Sequence, residues 1–80
     1  MKARVIVTLK NGVLDPQGQA IEGSLSSLGF AGVSGVRQGK VFDFEVTGTD
    51  AEAARSQINA MCDKLLANTV IENYSVEISN

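Results

Sequence analysis

The stretch NGVLDPQGQAIEGSLSSLGF, Asn11–Phe30, holds the only proline of an 80-residue chain between two glycines, directly ahead of an apolar stripe. Two readings compete for it. Glycines around a turn that opens a helix can cradle a phosphate, or they can simply start the helix. Asp15 is a good N-cap, and Pro16 at the first helical position sacrifices only an N–H that has no intrahelical acceptor. Ile21, Leu25 and Leu28 follow at i, i+4 and i+7 and make one apolar face. Gly29 suits the left-handed position that closes a helix. A phosphate loop would need Lys and Ser/Thr after Gly18, where the chain has Gln19 and Ala20. The stretch therefore predicts a helix from Pro16, with Asp15 and Gln17 exposed at its start and open to a partner.

Before it, KARVIVTLK (Lys2–Lys10) alternates Ala3, Val5, Val7 and Leu9 with Lys2, Arg4, Ile6, Thr8 and Lys10, the pattern of a half-buried strand. Asn11-Gly12 ends that strand. After it, Ala31–Gly48 predicts two strands joined at Gln38-Gly39. The first, around Val33–Arg37, is glycine-rich and expected to be bent or at an edge. In the second, Phe42, Phe44 and Val46 face one way and Asp43, Glu45 and Thr47 the other.

Thr49–Asn68 predicts the strongest helix. Thr49 and Glu52 make a capping box, and Asp50 adds negative charge to the first turn. Ala54, Ile58, Met61, Cys62 and Leu65 form its buried stripe, and Asn68 is placed at the left-handed C-terminal position. Ile71–Asn80 closes the chain as a strand, with Tyr74, Val76 and Ile78 pointing inward. The order β-α-β-β-α-β is the split βαβ pattern. It predicts one α+β domain over residues 1–80: a two-layer sandwich related to ferredoxin-like folds, with a four-stranded, mainly antiparallel sheet and two helices on one face. The other face is polar except for Ile6 and Val41. A domain this small gains much from burying a second face, so Ile6 and Val41 are the candidates for self-association.

Composition removes several function classes. There is no histidine and one cysteine, Cys62, so neither a Cys-His nor a Ser-His-Asp site can be assembled within the chain, and zinc would lack ligands. Cys62 lies on an apolar stripe without an activating base and reads as a small core residue. Net charge of −2 argues against nucleic acid. No apolar run approaches the roughly 20 residues of a membrane span, and the first residues read as a strand, not a signal peptide. A single cysteine fits a cytoplasmic protein. Arg37 and Lys40 flank the Gln38-Gly39 turn as candidates for an acidic surface or phosphate. Asp43 and Glu45 read as solvent-facing or interface charges. No catalytic, cofactor-binding or metal-ligating residue emerges.

Three motifs together carry a resemblance: GVLDPQGQAI (Gly12–Ile21), GVRQGK (Gly35–Lys40) and MCDKLLANTVIENY (Met61–Tyr74). The chain resembles the PurS family, the small subunit of formylglycinamide ribonucleotide amidotransferase (phosphoribosylformylglycinamidine synthase), from the first strand to Ile78. It departs at Thr69, where the family often has proline. The resemblance implies a non-catalytic assembly subunit in purine (IMP) synthesis. Such a subunit would bring a glutaminase together with a large synthetase that carries ATP and Mg, for the glutamine-dependent conversion of the formylglycinamide ribonucleotide to its amidine. It also implies a symmetric oligomer, a dimer or tetramer, and that the turn with Asp15, Pro16 and Gln17 faces a subunit; Arg37 and Lys40 join these as candidate partner contacts from their place beside the hairpin turn. The rival reading is a small regulatory module that binds a small molecule at a dimer interface. A standalone enzyme is the weakest, because no acid–base or nucleophile pair is evident.

Overall fold

A computed structural model describes residues 1–79; Asn80, the last residue of the expected closing strand, lies outside the described residues. The elements are β1 (Lys2–Leu9), α1 (Pro16–Ser27), β2 (Gly39–Glu45), α2 (Ala51–Met61) and β3 (Glu72–Ser79), with a π-helical turn at Cys62–Leu66 after α2. The sheet order is β2-β1-β3, and both pairings are antiparallel. β1 is central, which is why its alternation is the cleanest in the chain. Ala3, Val5 and Val7 are buried, and their cross-strand neighbours on the same face include Phe44, Phe42, Val76 and Ile78.

The sheet has three strands among the described residues, not the four expected. The segment Val33–Arg37 is not a strand. Gly32 and Gly35, which flank its start, have φ of 83° and 69°, outside extended geometry. Two of its neighbourhood's N–H groups are also taken by carboxylates: Val36 donates to Glu22 and Gln38 to Asp15. Those donors are lost to any ladder.

Only α2 lies on the sheet, so the expected pair of helices on one face is corrected as well. Ala54, Ile58 and Cys62 are buried, and the core gathers Ile58 and Cys62 with Ala3, Val5, Val7 and Ala67. No α1 residue belongs to this core. Ile21, Leu28 and the flanking Leu14, Phe30 and Val33 are exposed. The radius of gyration is 16.0 Å and the longest axis 49 Å, against about 12 Å for a compact chain of this length. The excess is an arm: α1 and its return segment stand off the sheet.

Two helix ends differ from the sequence reading. Asp50, not Thr49, caps α2, its Oδ1 accepting from the Glu52 and Ala53 N–H groups at 3.0 and 3.3 Å. At the other end, the Ala67 N–H donates to the Cys62 carbonyl, a five-residue span, at 3.0 Å. The wider turn rotates the stripe. Leu65, expected inside, is 82% exposed, while Leu66 packs on the core and Ala67 is buried. Asn68 is not left-handed; its side chain instead accepts from the Val70 N–H.

The two sheet edges are unlike. Met1 and Val46 exchange both backbone bonds, at 3.0 and 2.9 Å, so by alternation Val41, Asp43 and Glu45 direct their N–H and C=O groups outward from β2. On β3 the outward carbonyl of Val76 accepts from Arg55 Nη1 at 3.1 Å. One edge is guarded by a charged side chain, and among the described residues no hydrogen bond reaches the outward groups of the other.

The π-turn makes a stability test direct. Ile58→Ala should lower unfolding free energy by about 2–5 kcal/mol in a denaturant titration. Leu65→Ala should stay within about 0.5 kcal/mol of wild type. A large loss at Leu65 would mean a regular helix that buries it.

Candidate functional site

The residues singled out in the sequence converge at the base of the arm. Asp15 precedes α1 and is 5% exposed, contrary to the expected open position. Its two oxygens serve two different segments. Oδ1 accepts from the Gly18 N–H at 2.9 Å and caps the helix; Oδ2 accepts from the Gln38 N–H at 2.7 Å, where the return segment enters β2. Gly18 allows the close approach. A Cβ there would lie 2.5 Å from Asp15 Oδ2 and 2.5 Å from the Val36 carbonyl oxygen. Gln38 Nε2 also donates to Gln17 Oε1 at 2.7 Å, and further along the helix Glu22 Oε1 accepts from the Val36 N–H at 2.9 Å.

The Gln38 and Gly18 N–H groups hold the Asp15 carboxyl below the usual aspartate range; burial opposes them, and Arg37 adds a smaller pull in the same direction. Arg37 itself is exposed and donates from Nη2 to the Lys10 carbonyl at 3.2 Å. Lys40 reaches Glu72 across β1 at 3.6 Å. Asp15, Pro16, Gln17 and Lys40 thus line one cleft of about 510 Å³, with Leu9, Leu14 and Glu72. Arg37 is outside its lining.

Ile6 and Val41 are direct cross-strand partners on the opposite face, Val41 57% exposed. Beside them Arg4 Nε and Nη2 grip Asp43 at 2.8 and 3.2 Å, which holds the Asp43 carboxyl below its ordinary range. Cys62 is buried in the core, and burial, then Asp63, push its thiol up, away from thiolate chemistry. Tyr74 is half-buried and donates from its hydroxyl to Asp63 Oδ1 at 3.3 Å. Among the described residues, no group of His, Cys, Asp and Glu could hold a metal ion and no helix is long and apolar enough to cross a membrane.

Sequence reasoning read Gly18 only as part of a turn and Gln38 only as a strand junction, and it missed Glu22. A glycine in the first turn of a helix costs stability relative to alanine, and that cost was the one available sign of a close approach. Nothing in the sequence pointed to Glu22.

These features define a small α+β protein with one helix packed on its sheet and another carried outward on an apolar arm. The chain belongs to the PurS family, described as phosphoribosylformylglycinamidine (FGAM) synthase, whose pattern matches residues 2–80. The phosphoribosylformylglycinamidine synthase subunit PurS of Synechocystis is 50% identical over 76 residues, 95% of this chain and 76% of that protein. A crystal form of Bacillus subtilis PurS superposes with a TM-score of 0.88 at 42% identity, covering 99% of this chain and 98% of its own. A chain of the PurLQS structure from Thermotoga maritima superposes at 0.87 with 33% identity, covering 95% and 93%.

The Asp15 geometry sets a pH dependence. A carboxyl held low in the folded state contributes stability above its unfolded pKa, and loses it as pH falls through the folded value. Asparagine puts an NH2 donor in place of one of the two oxygens, so it cannot accept at both positions where the Gly18 and Gln38 N–H groups arrive. Asp15→Asn should therefore melt lower than wild type at neutral pH. The gap should narrow as pH falls below the ordinary aspartate range of about 4. Melting curves from pH 7 to 2.5 check this, and a constant gap would contradict it.

Proposed function

We propose that this chain is the assembly subunit of a phosphoribosylformylglycinamidine synthase in purine synthesis, joining a glutaminase to an ATP-dependent synthetase. The observation that carries the reading is the arm: Leu14, Ile21, Leu28, Phe30 and Val33 are exposed on a chain that assembles no nucleophile–base pair. Contiguous exposed apolar side chains mark contact surfaces. Family membership over residues 2–80 and the likeness to a chain of PurLQS support a place in such an assembly. ATP and Mg would then be held by the synthetase, and Pro16, Gln17, Arg37 and Lys40 are the residues of the arm base offered to a partner subunit, with Asp15 buried beneath them as their anchor.

The first partner of the arm is a second copy of the chain, in a dimer or tetramer. On this chain's own sheet, Phe42 and Phe44 pack on the core but are not fully covered, and among the described residues no hydrogen bond reaches the outward groups of the β2 edge beside them. An arm delivered by a second copy would cover them, and a two-fold axis would make the exchange reciprocal. The pair Ile6 and Val41 offers a further, smaller contact on the other face.

Two measurements test the reading. Sedimentation should give at least twice the mass of the single chain, and a monomer at high micromolar concentration would refute self-association. Adding the chain to synthetase and glutaminase should switch on glutamine-dependent amidine formation. Turnover with free ammonia should depend on it less, since no nitrogen then passes between proteins. Equal glutamine-dependent rates with and without the chain would overturn the assembly role. Cys62→Ser, if folded, should support the same turnover as wild type.

A further inference from the structure

We propose that α1 and the return segment Val33–Gln38 form a preassembled arm, locked by the carboxylates of Asp15 and Glu22, and that this lock sets the surface offered to a second copy. The inference rests on the self-association proposed above.

Apolar packing onto the sheet does not hold the arm in place, because α1 contributes nothing to the core. Polar bonds tie the helix to the return segment. The Asp15 and Glu22 carboxylates accept from Gln38 and Val36, and Gln17 meets Gln38 through their side chains. Both carboxylate acceptors face backbone N–H groups, so their bonds fix main-chain position rather than side-chain orientation. Such charge-assisted bonds are stronger than neutral ones. The lock needs a helix without a side chain at position 18, since a Cβ would press on both Asp15 and Val36. Position 23, on the same helix, has nothing within 4 Å.

That contrast gives a test whose sign is informative. Glycine to alanine inside a helix ordinarily favours the helix. Gly23→Ala should self-associate as wild type does, by sedimentation equilibrium at matched concentrations. Gly18→Ala should raise the self-association Kd at least tenfold while Cys62 stays as protected from thiol reagents as in wild type. Gly18→Ala associating like wild type would overturn the proposal. If Gly18→Ala instead exposes Cys62, amide exchange on the wild type decides. The Val36 and Gln38 N–H groups should exchange at least tenfold more slowly than that of Ser34, and equal rates would overturn the lock. A monomeric wild type would refute the self-association reading alone, and the same exchange measurement would then judge the lock.

Discussion

The Asp15 carboxylate is the constraint on which the arrangement of this chain turns. It sits where three paths meet: the exit from β1, the start of α1 and the return into β2. One oxygen satisfies a helix-terminal donor that would otherwise lack a partner. The other takes the N–H of Gln38, and in doing so it fixes where the return segment can run. A carboxylate presents an oxygen to each segment; a neutral cap such as serine has a single oxygen that cannot stand at both positions, and would leave a half-buried N–H unpaired. The same bond helps explain the missing fourth strand. With Gly32 and Gly35 outside extended dihedrals, and Val36 and Gln38 already donating to side chains of the helix segment, the stretch from Gly32 to Gln38 lacks both a continuous extended backbone and two of the donors a ladder would use.

How much of this was readable in the sequence follows from which interactions are local. β1, β2 and β3 were legible because alternation reports burial on a sheet directly, and β1 is buried along one whole face. The start of α1 was legible from Asp15-Pro16. Its position was not. The stripe Ile21, Leu25 and Leu28 announces an apolar face but says nothing of which surface, or which molecule, receives it. The π-turn was equally hidden. A five-residue hydrogen bond from Ala67 to Cys62 leaves no signature in the residue pattern, so a regular periodicity placed Leu65 inside. Of the candidate site, the sequence supplied Asp15, Pro16, Gln17 and Lys40 but treated Asp15 as open to solvent. Its burial comes from a partner 23 residues away, a separation that local pattern does not register.

The absence of histidine and the outward arm bear on the same question from opposite sides. Histidine's absence removes the commonest general base from the chain. The arm leaves apolar side chains where they weaken solubility unless something covers them. Fully burying one Leu, Ile or Phe is worth about 1.5–3 kcal/mol, whereas associating two proteins costs on the order of 4–15 kcal/mol. One or two exposed side chains would not drive a stable complex. A two-fold interface counts every contact twice, so the five exposed side chains of the arm become ten. These side chains are 42–73% exposed, so reciprocal burial in the proposed pair would be of the same order as the association cost, without requiring a large core in either copy. In the proposed pair, a chain built this way would gain its second layer of packing from another molecule. Its small core, with Ile58, Val5 and Val7 at the centre, needs only to keep the sheet and α2 together while the arm seeks its partner. Rigidity in the arm then matters more than its own stability, because an apolar surface held in shape before contact loses less entropy on binding.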